Sequence, residues 1–518
     1  MPDRTAIVII HGIGEQVPME TLTGFIDAAW TYDDTLVSSG KPDPNSGDRR
    51  TTNVSWSKPD ARNRSFELQL VTTESDKNRR RVDFFEYYWA HRVTGTTWEQ
   101  VRAWLFGLML RNPVTNVPPG IRPAWAIMWL AFFLFLYITL VAGMAVTKDP
   151  IDVAQAQFWP IRTTLELAAS IQAWPNWQIG LVWGAAGLAI SFLLKIMVDV
   201  AGDVVRYVEA TPKNIAIRQS IRENGVQLLE TLMGIDEHGN QRPADYERIV
   251  VVGHSLGTIV AYDILTHAFG RHNTRIDPAK LKDFKQDKRV SMEAMVRDCV
   301  FGRPKGDGTR EPPVALSVDT YRALQNECRE ELNALGNPWI VSDFVSLGSP
   351  LTHADFLMAR DRDTLETAKQ KRILPTCPPM LEHDGKTKLR HFTYRSRTVD
   401  DEGDSKDPAA PRVPHHGAPF AYTRWTNIYS PLRWVLVGDI VSGPLGHLFG
   451  LTRKDKSSVC GIRDIAVLPS AEGTPADRKR RWLTHLRYWD RDYAKQEKDS
   501  LPFHIAALRE ALDLGQNR

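Results

Sequence analysis

The chain has 518 residues, a formal net charge of +3 at pH 7, and 42% hydrophobic and 25% charged residues. This composition is typical of a globular protein with a large core and excludes wholesale disorder. The small net charge gives no electrostatic reason to expect a nucleic-acid partner, and the basic run Arg478–Arg481 is interpreted as a solvated helix face. Four cysteines without CxxC spacing predict neither a zinc site nor a disulfide framework, and they favour a reducing compartment.

The first predicted element is a short buried strand, "TAIVII", which is too short an apolar segment for a signal peptide. The motif "HGIGEQ" follows it directly. In α/β-hydrolases an HG pair after an early strand forms half of the oxyanion hole, so His11 and Gly12 are expected to form the turn that presents the backbone N–H of Ile13. A dinucleotide-binding loop is the rival interpretation, since two aspartates follow about 20 residues on, but Val17 stands where that fingerprint requires its third glycine.

Two uncharged runs follow, Pro123–Thr147 and Leu167–Leu194, and each is long enough as a helix to cross a hydrocarbon core of about 30 Å. Tryptophans near the ends of both runs and a GxxxG motif at Gly180 and Gly184 are typical of packed membrane helices. A buried core helix or a hydrophobic hairpin lid is the alternative interpretation. Basic residues flank the outer ends of the pair, which predicts a two-helix membrane hairpin with both outer ends, and the catalytic domain, on the cytoplasmic side.

Strands alternate with helices on the two sides of this hairpin. Before it, "SFELQLVTT" and "RVDFFEYYWA" predict strands, and residues 40–64 predict a polar loop. After it, residues 215–233 and 502–514 have helical periodicity, whereas "RIVVVG", "WIVSDFVSLG", "LRHFTYRSR" and "IRDIAVL" predict strands. Charged segments at 273–313 and 398–419 predict loops. The alternation predicts a mostly parallel sheet with helices on both faces.

The motif "GHSLG", Gly253–Gly257, predicts a catalytic nucleophile. It lies between the buried strand "RIVVVG" and a segment of helical periodicity, which is the strand-turn-helix setting of a nucleophile elbow. Gly253 and Gly257 allow the strained turn and the close approach of strand and helix, so Ser255 is held outward at a helix N-terminus. The backbone N–H of Leu256 would complete the oxyanion hole. A serine that only caps the helix is the structural alternative.

A serine hydroxyl needs a histidine base and a carboxylate behind that base, and in this fold the chain order is serine, acid, histidine. The residues alone leave several candidates for both roles. The acids in suitable loops after the serine are Asp355, Asp400, Asp401 and Asp439. The histidines are His391, His415, His416, His447, His485 and His504. Of these, His415 and His416 have no ligand spacing with other His, Asp or Cys residues, so no metal site is expected.

The chain resembles lipase-like α/β-hydrolases related to GPI inositol-deacylases and bacterial membrane-associated serine esterases, in the segments "HGIGEQ", "VVGHSLGTIVAYD", "VSLGSPL", "WTNIYSPL" followed by "DIVSGPL", and "THLRYW". The resemblance extends in pieces from Ala6 to Trp489 and leaves out the hairpin and the charged loops. It implies that Asp439 is the acid and His485 the base. The sequence differs from the family pattern by "RWVLVG" between "YSPL" and "DIVSG", and Asp355 is the alternative acid.

The sequence therefore predicts an α/β-hydrolase fold, with a mostly parallel sheet and helices on both faces, interrupted by a transmembrane helical hairpin. Residues 1–110 and 201–518 are expected to form the hydrolase domain, and residues 111–200 the hairpin. The expected function is a membrane-anchored serine esterase that cleaves an acyl ester of a lipid or another apolar substrate without a cofactor. A catalytically inactive membrane scaffold or tethering protein is the alternative, and the displaced acid loop favours it.

Overall fold

The chain folds as two compact units. Met1–Thr94 and Val208–Arg518 form the first, named the sheet unit, and Gly95–Tyr207 form the second, named the insertion unit. The structure is a computed structural model that describes residues 4–12, 17–33, 35–36, 41–63, 65, 67–76, 80–92, 107–118, 121–145, 151–153, 158–175, 177–178, 180, 184, 187, 207–208, 211–307, 309–396, 410–432, 438–468, 484–490 and 501–514. The insertion unit thus interrupts the sheet unit in sequence.

An eight-stranded sheet forms the centre of the sheet unit. The described strands are β1 (Arg4–Ile10), β2 (Ser55–Pro59), β3 (Gln69–Thr73), β4 (Arg81–Tyr87), β5 (Arg248–His254), β6 (Val341–Leu347), β7 (Glu382–His383), β8 (Arg390–His391), β9 (Thr393–Arg395), β10 (Arg412–Pro414), β11 (Arg424–Tyr429), β12 (Leu451–Thr452), β13 (Ser458–Val459) and β14 (Arg463–Ala466). The central sheet has the order β14-β11-β6-β5-β1-β4-β3-β2. Neighbouring strands from β14 to β4 are parallel, and β3 and β2 pair antiparallel at one edge. The expected α/β class with a mostly parallel sheet is confirmed.

Helices lie on both faces of this sheet. The described helices of the whole chain are α1 (Glu20–Ile26), α2 (Arg122–Ala145), α3 (Trp159–Gln172), α4 (Pro212–Leu232), α5 (Leu256–His272), α6 (Pro278–Asp283), α7 (Asp287–Phe301), α8 (Val318–Ala334), α9 (Ala354–Leu357), α10 (Arg362–Gln370), α11 (Gly446–Phe449) and α12 (Phe503–Leu512). On one face, Phe25 of α1 and Leu508 of α12 belong to the same buried core as Ile9 of β1. On the other face, the ring of Tyr262 from α5 lies 5.7 Å from that of Trp425 in β11.

The central strands are buried along their length, as parallel strands between two helical layers are. All seven residues of β6 are buried, and six of the seven in β5. Because these strands are parallel, their carboxyl ends meet at one edge of the sheet, named the carboxyl edge. It is formed where β1, β4, β5, β6 and β11 end at Ile10, Tyr87, His254, Leu347 and Tyr429. The predicted functional motifs follow strands at this edge.

Three segments differ from their predicted structure. The polar loop at 40–64 contains β2, which is exposed along most of its length and so lacks an apolar period. The charged segment at 273–313 contains α6 and α7, and α7 buries a salt bridge between Arg289 and Glu293 beside apolar residues such as Met292. The predicted strand "LRHFTYRSR" forms only β8 and β9, which belong to two-stranded sheets. In the first two segments, exposed or charged residues obscure the hydrophobic pattern that sequence analysis detects.

The described part of the insertion unit contains α2 and α3, which pack against each other. α2 has 24 residues and coincides with the first predicted run. α3 begins in the predicted connector and ends before Pro175, so the predicted helix Leu167–Leu194 is wrong in its start and is divided at this proline. Most residues from 176 to 206 lie outside the described part of the chain. Among the residues that the structure describes, no helix combines the length and apolarity needed to cross a membrane.

Candidate active site

Ser255 lies at a sharp turn between β5 and α5. Its backbone has φ 51° and ψ −130°, a positive φ that is uncommon and strained for a residue other than glycine. The Ser255 N–H donates to the carbonyl of Leu347, the last residue of β6, at 3.0 Å. This bond fixes the turn to the neighbouring strand. The side chain of Ser255 therefore projects at the carboxyl edge, in the strand-turn-helix setting that the sequence predicts.

Glycines surround this turn because other backbone lies too close for a side chain. A Cβ on Gly257 would lie 2.3 Å from the carbonyl oxygens of both Ile10 and His11. A Cβ on Gly253 would lie 2.7 Å from Thr258 Cα. These approaches bring α5 against the end of β1, so the motif after β1 lies beside Ser255.

The base candidate His485 lies on a 3-10 turn, Thr484–Leu486, at the same edge. Its Nε2 is 2.8 Å from Ser255 Oγ, which is hydrogen-bonding distance. The imidazole is 20% exposed, so it is partly accessible from solvent. Among the six histidine candidates, the structure places His485 next to the serine.

The acid candidate Asp439 lies behind this histidine. Its Oδ2 is 2.9 Å from His485 Nδ1 and also accepts a hydrogen bond from Tyr488 Oη at 2.8 Å. Its Oδ1 accepts from the backbone N–H of Val441 at 2.8 Å. Burial opposes ionisation of Asp439, but hydrogen bonding from His485, Ser442 and Tyr488 lowers the pKa of this carboxyl below its usual range. Asp439 is therefore a carboxylate that orients the imidazole.

The segment "RWVLVG", which displaces Asp439 in the sequence, does not displace it in space. The Asp439 N–H donates to the carbonyl of Ser430 at 3.4 Å, so the ends of the inserted segment come together. Gly438, at φ 99°, lies against the carbonyl of Pro431 and accepts a hydrogen bond from the Thr484 N–H at 3.3 Å. Residues 433–437 themselves lie outside the described part. The acid loop and the histidine turn are thus joined by backbone hydrogen bonds.

The other acid and base candidates have other positions. Asp355 lies on α9, and its Oδ1 has no hydrogen-bond partner among the described residues. His391 pairs with Glu293 at 2.6 Å in a buried network, and His415 Nε2 donates to the Met380 carbonyl. Residues 400 and 401 lie outside the described part. The geometry therefore selects Asp439 over Asp355 as the partner of the histidine.

The predicted oxyanion residues are described in part. Leu256 is the first residue of α5, where N–H groups have no partner within the helix. A Cβ on Gly12 would lie 2.9 Å from Ser255 Cβ, so this residue packs on the serine. Ile13 lies outside the described residues. The His11 ring is buried against Trp89, whose backbone N–H donates to His11 Nε2 at 3.1 Å, and burial lowers the pKa of His11 to about 4.

His254, Gly348 and Tyr488 lie at the site but were not singled out by the sequence analysis. His254, before the serine, is directed at the carbonyl of His485, with 2.9 Å between Nε2 and the oxygen. Burial and the nearby His485 lower its pKa to about 3, so it is neutral and donates this bond. Gly348 has φ 59°, and a Cβ there would lie 2.7 Å from Tyr488 and 3.3 Å from Asp439 Oδ2. The sequence signal that points to these residues is their position within quoted segments, as for His254 in "GHSLG" and Gly348 in "VSLGSPL".

Glu86 is a further buried group at the carboxyl edge. It is paired in register with Ile9 and is 0% exposed. Its Oε2 accepts a hydrogen bond from the Met19 N–H at 2.7 Å, and its Oε1 has no partner among the described residues. Burial raises the pKa of Glu86 to about 7, against the opposing effect of the Met19 N–H. Met19 precedes α1, so Glu86 holds the far end of the segment that begins with "HGIGEQ".

Comparison with known proteins gives no relative. No family model matches the sequence. No curated protein matches it, and no solved structure matches the chain. The assignment of a reaction therefore depends on the residues and their geometry.

Proposed function

We propose that the protein is a serine hydrolase of acyl esters with an α/β-hydrolase fold. The observation that supports this most is the hydrogen-bonded line from Ser255 Oγ through both ring nitrogens of His485 to Asp439, with distances of 2.8 and 2.9 Å. A serine that only caps α5 needs neither a histidine on its hydroxyl nor a carboxylate behind that histidine. The strained backbone of Ser255 at a strand-turn-helix junction supports the same proposal, because that strain exposes the hydroxyl at the end of the sheet.

The proposed reaction proceeds through an acyl-serine. Ser255 Oγ attacks the ester carbonyl carbon while His485 Nε2 accepts the hydroxyl proton, and the carbonyl oxygen becomes an oxyanion. The backbone N–H groups of Leu256 and Ile13 are the proposed donors to that oxyanion. The bond to the alcohol breaks as His485 returns the proton to the departing oxygen. Water then attacks the acyl-serine carbonyl while His485 accepts its proton. The bond to Ser255 Oγ breaks as His485 returns that proton to the serine oxygen, which releases the carboxylic acid, and Asp439 stabilises the imidazolium in both steps.

We further propose that the insertion unit anchors the protein in a membrane as the predicted helical hairpin. Large apolar side chains along α2 are exposed, with fractions of 67% for Leu130, 54% for Leu136 and 56% for Leu140. An exposed apolar surface of this kind marks a site of contact with lipid or another apolar partner. The support for the hairpin comes from this surface and from the uncharged runs of the sequence.

The proposed membrane anchor favours a lipid-like ester as the substrate. A chain held at a bilayer by its insertion unit meets lipid esters as the most abundant acyl esters in its surroundings. The resemblance to lipase-like hydrolases supports the same substrate class.

The alternative of an inactive scaffold rested on the displaced acid loop. The hydrogen bond between Ser430 and Asp439 accounts for that displacement, since it returns the carboxylate to His485. No other described feature of the site favours an inactive protein. We therefore prefer the enzyme. The inactive scaffold would be favoured if the following experiment gave a negative result.

Labelling by a fluorophosphonate probe tests the enzyme proposal. Full-length protein in detergent is expected to label, and Ser255→Ala is expected not to label. His485→Ala should also lose labelling and the hydrolysis of p-nitrophenyl esters, whereas His447→Ala, a matched histidine variant, should keep both. Thermal unfolding of each variant shows that it is folded. Folded wild-type protein that neither labels nor hydrolyses these esters would overturn the proposal and favour the scaffold.

Carbonate extraction of cell membranes tests the anchor. The full-length chain is expected to remain in the membrane pellet, and a variant lacking Pro123–Leu194 is expected to be released. Membrane retention of the deletion variant equal to that of the full chain would contradict the anchor without affecting the enzyme proposal.

A further inference from the structure

An open cavity of about 780 Å³ lies in the sheet unit away from the serine. It is bordered by α4, by the second half of α5 and by residues 371–373. Thr266, the first residue of α5 in its lining, is 11 residues beyond Ser255 (266 − 255), which is about 16 Å along a helix. Ser255, Asp439 and His485 do not belong to its lining. We name it the basic cavity because arginines and a lysine line it.

The charged residues in the lining of this cavity are mostly cationic. Its positively charged residues are Arg218, Arg222, Arg271, Lys371 and Arg372. Glu223 is the carboxylate among the lining residues. His267 and His416 also line it, and burial lowers the pKa of each, so both are neutral near pH 7. The lining thus has five cationic groups and one anionic group.

Carboxylates outside the lining compensate part of this charge. Arg222 pairs with Asp263 at 2.5 Å, and Arg372 pairs with Glu382 at 2.5 Å. Arg271 is 50% exposed and pairs with Glu230 at 3.4 Å, which is a long contact for a salt bridge. Lys371 is exposed and has no carboxylate within 4.0 Å among the described residues. Lys371 and Arg271 therefore keep more of their positive charge than Arg222 and Arg372 do.

Apolar side chains stand beside these cations. Ile215 and Ile373, both in the lining, are 53% and 64% exposed. Ile215 lies in the first turn of α4, and α4 begins at Pro212, five residues after the insertion unit ends at Tyr207. Basic clusters that directly follow a membrane segment are typical of binding to anionic lipid headgroups. A ligand that satisfies both kinds of side chain has an anionic head and an apolar body.

We propose that the basic cavity binds the phosphate group of an anionic phospholipid. Guanidinium and ammonium groups form charge-assisted hydrogen bonds to phosphate oxygens, and the volume suits a headgroup. That the phosphate belongs to a lipid rests on the proposed membrane anchor, whereas the binding of a phosphate group rests on the cavity alone. Occupancy of the cavity would hold the sheet unit at an anionic membrane surface.

The test uses dihexanoyl phosphatidic acid, a phospholipid soluble as a monomer, and full-length protein in an uncharged detergent. All proteins have Ser255→Ala, so that no ester is cleaved and the result is independent of the proposed reaction. Binding is measured by isothermal titration calorimetry. The double substitution Arg271→Ala and Lys371→Ala is compared with Arg303→Ala and Lys305→Ala, which removes the same charge from exposed residues outside the cavity. The cavity variant is expected to bind at least about tenfold more weakly, since charge-assisted hydrogen bonds are lost.

Inorganic phosphate and dihexanoyl phosphatidylcholine separate the possible sources of the ligand. If inorganic phosphate and phosphatidylcholine bind weakly while phosphatidic acid binds tightly, an anionic phospholipid is supported as the ligand. Binding of inorganic phosphate as tight as that of phosphatidic acid, with the same loss in the cavity variant, would overturn the lipid and assign free phosphorylated ligands. Equal affinity of the cavity and control variants for phosphatidic acid would overturn the site. None of these results depends on whether the protein is an esterase.

Discussion

Two buried carboxylates at opposite edges of the sheet have different partners. Asp343 lies near the amino ends of the strands, where Arg248 and Arg424 donate to its Oδ2 at 2.9 and 2.8 Å. Asp439 lies at the carboxyl edge, where His485 is its partner at 2.9 Å. Both carboxylates are 1% exposed. Burial opposes the ionisation of each, yet the partners lower the pKa of both below the usual range.

The difference between these sites is the chemistry of the partner. A guanidinium remains charged at any relevant pH, so the Asp343 cluster has a single protonation state. An imidazole can both accept and donate a proton through its ring nitrogens, and the second nitrogen of His485 faces Ser255. The first arrangement can only hold strands together, whereas the second can move a proton. A buried carboxylate by itself is therefore a poor sign of function. What distinguishes Asp439 is that its partner His485 contacts a second reactive side chain, Ser255.

The largest expected effect is that of Asp439→Asn. An asparagine would keep the shape of the side chain but not the charge that stabilises the imidazolium, and it would favour the wrong tautomer of His485. We expect kcat for a p-nitrophenyl ester to fall by about 10⁴-fold, as for comparable triads, while the unfolding temperature changes little.

Asp355→Asn is the matched control, because it makes the same chemical change on α9. We expect its kcat to stay within about threefold of the wild-type value, since the structure gives Asp355 no contact with His485. A reversed pattern, with loss of activity in Asp355→Asn and not in Asp439→Asn, would mean that the acid has been misassigned.

Asp343→Asn should affect stability instead of catalysis. The substitution leaves two arginines near a neutral side chain, and breaking a buried ion pair from one side costs about 3–5 kcal/mol. Urea unfolding should show this loss, while the kcat of the folded fraction remains near that of the wild type. A large fall in kcat at wild-type stability would contradict the division between a structural and a reactive carboxylate.

The sequence indicated the candidate site at the carboxyl edge better than the Asp343 cluster at the amino ends of the strands. Ser255 could be predicted as a candidate nucleophile because "GHSLG" follows a β-branched run, and that pattern is local. The partners Asp439 and His485 are distant in sequence, and they were selected by resemblance and not by spacing. The residues between Ser430 and Asp439 could not be placed in advance, since a loop that closes through one backbone hydrogen bond leaves no sequence pattern.

In the fold, too, elements with a local sequence pattern were predicted, and elements that depend on distant residues were missed. Strands β1 and β5 were predicted because both of their faces are largely apolar, and β6 because four of its seven residues are apolar. Strand β2 was missed because it is an exposed edge strand, stabilised by pairing with β3. Helix α7 was missed because Arg289 and Glu293 are buried with its apolar residues, and charged residues indicate exposure in a sequence. Pairing and burial of charge depend on residues far away in the chain, which local patterns do not contain.

A smaller effect is expected at His254, whose ring contacts the backbone carbonyl of His485. His254→Phe keeps a ring but loses the donor to the His485 carbonyl, and we expect kcat to fall roughly tenfold, the cost of one unsatisfied buried acceptor. His254→Gln retains a donor near the same position and should recover most of that loss. A kcat of His254→Phe equal to that of His254→Gln would show that the hydrogen bond does not matter, and a higher kcat of His254→Phe would assign the effect to ring packing against Trp489.

The smallest expected effect is a pH dependence at Glu86, a buried carboxylate of the carboxyl edge that the described residues leave without a cation. Its folded pKa of about 7 lies above the ordinary 4.5, so the folded state keeps a proton that the unfolded state releases between these values. Stability is therefore expected to fall as the pH rises from about 4.5 to about 7, by roughly 1–3 kcal/mol. Glu86→Gln keeps an acceptor for the Met19 N–H and should remove this slope in unfolding curves measured at pH 5 and pH 8. An unchanged slope in the variant would mean that Glu86 is ionised in the folded protein and has a counter-charge after all, which would place it with Asp343 and Asp439.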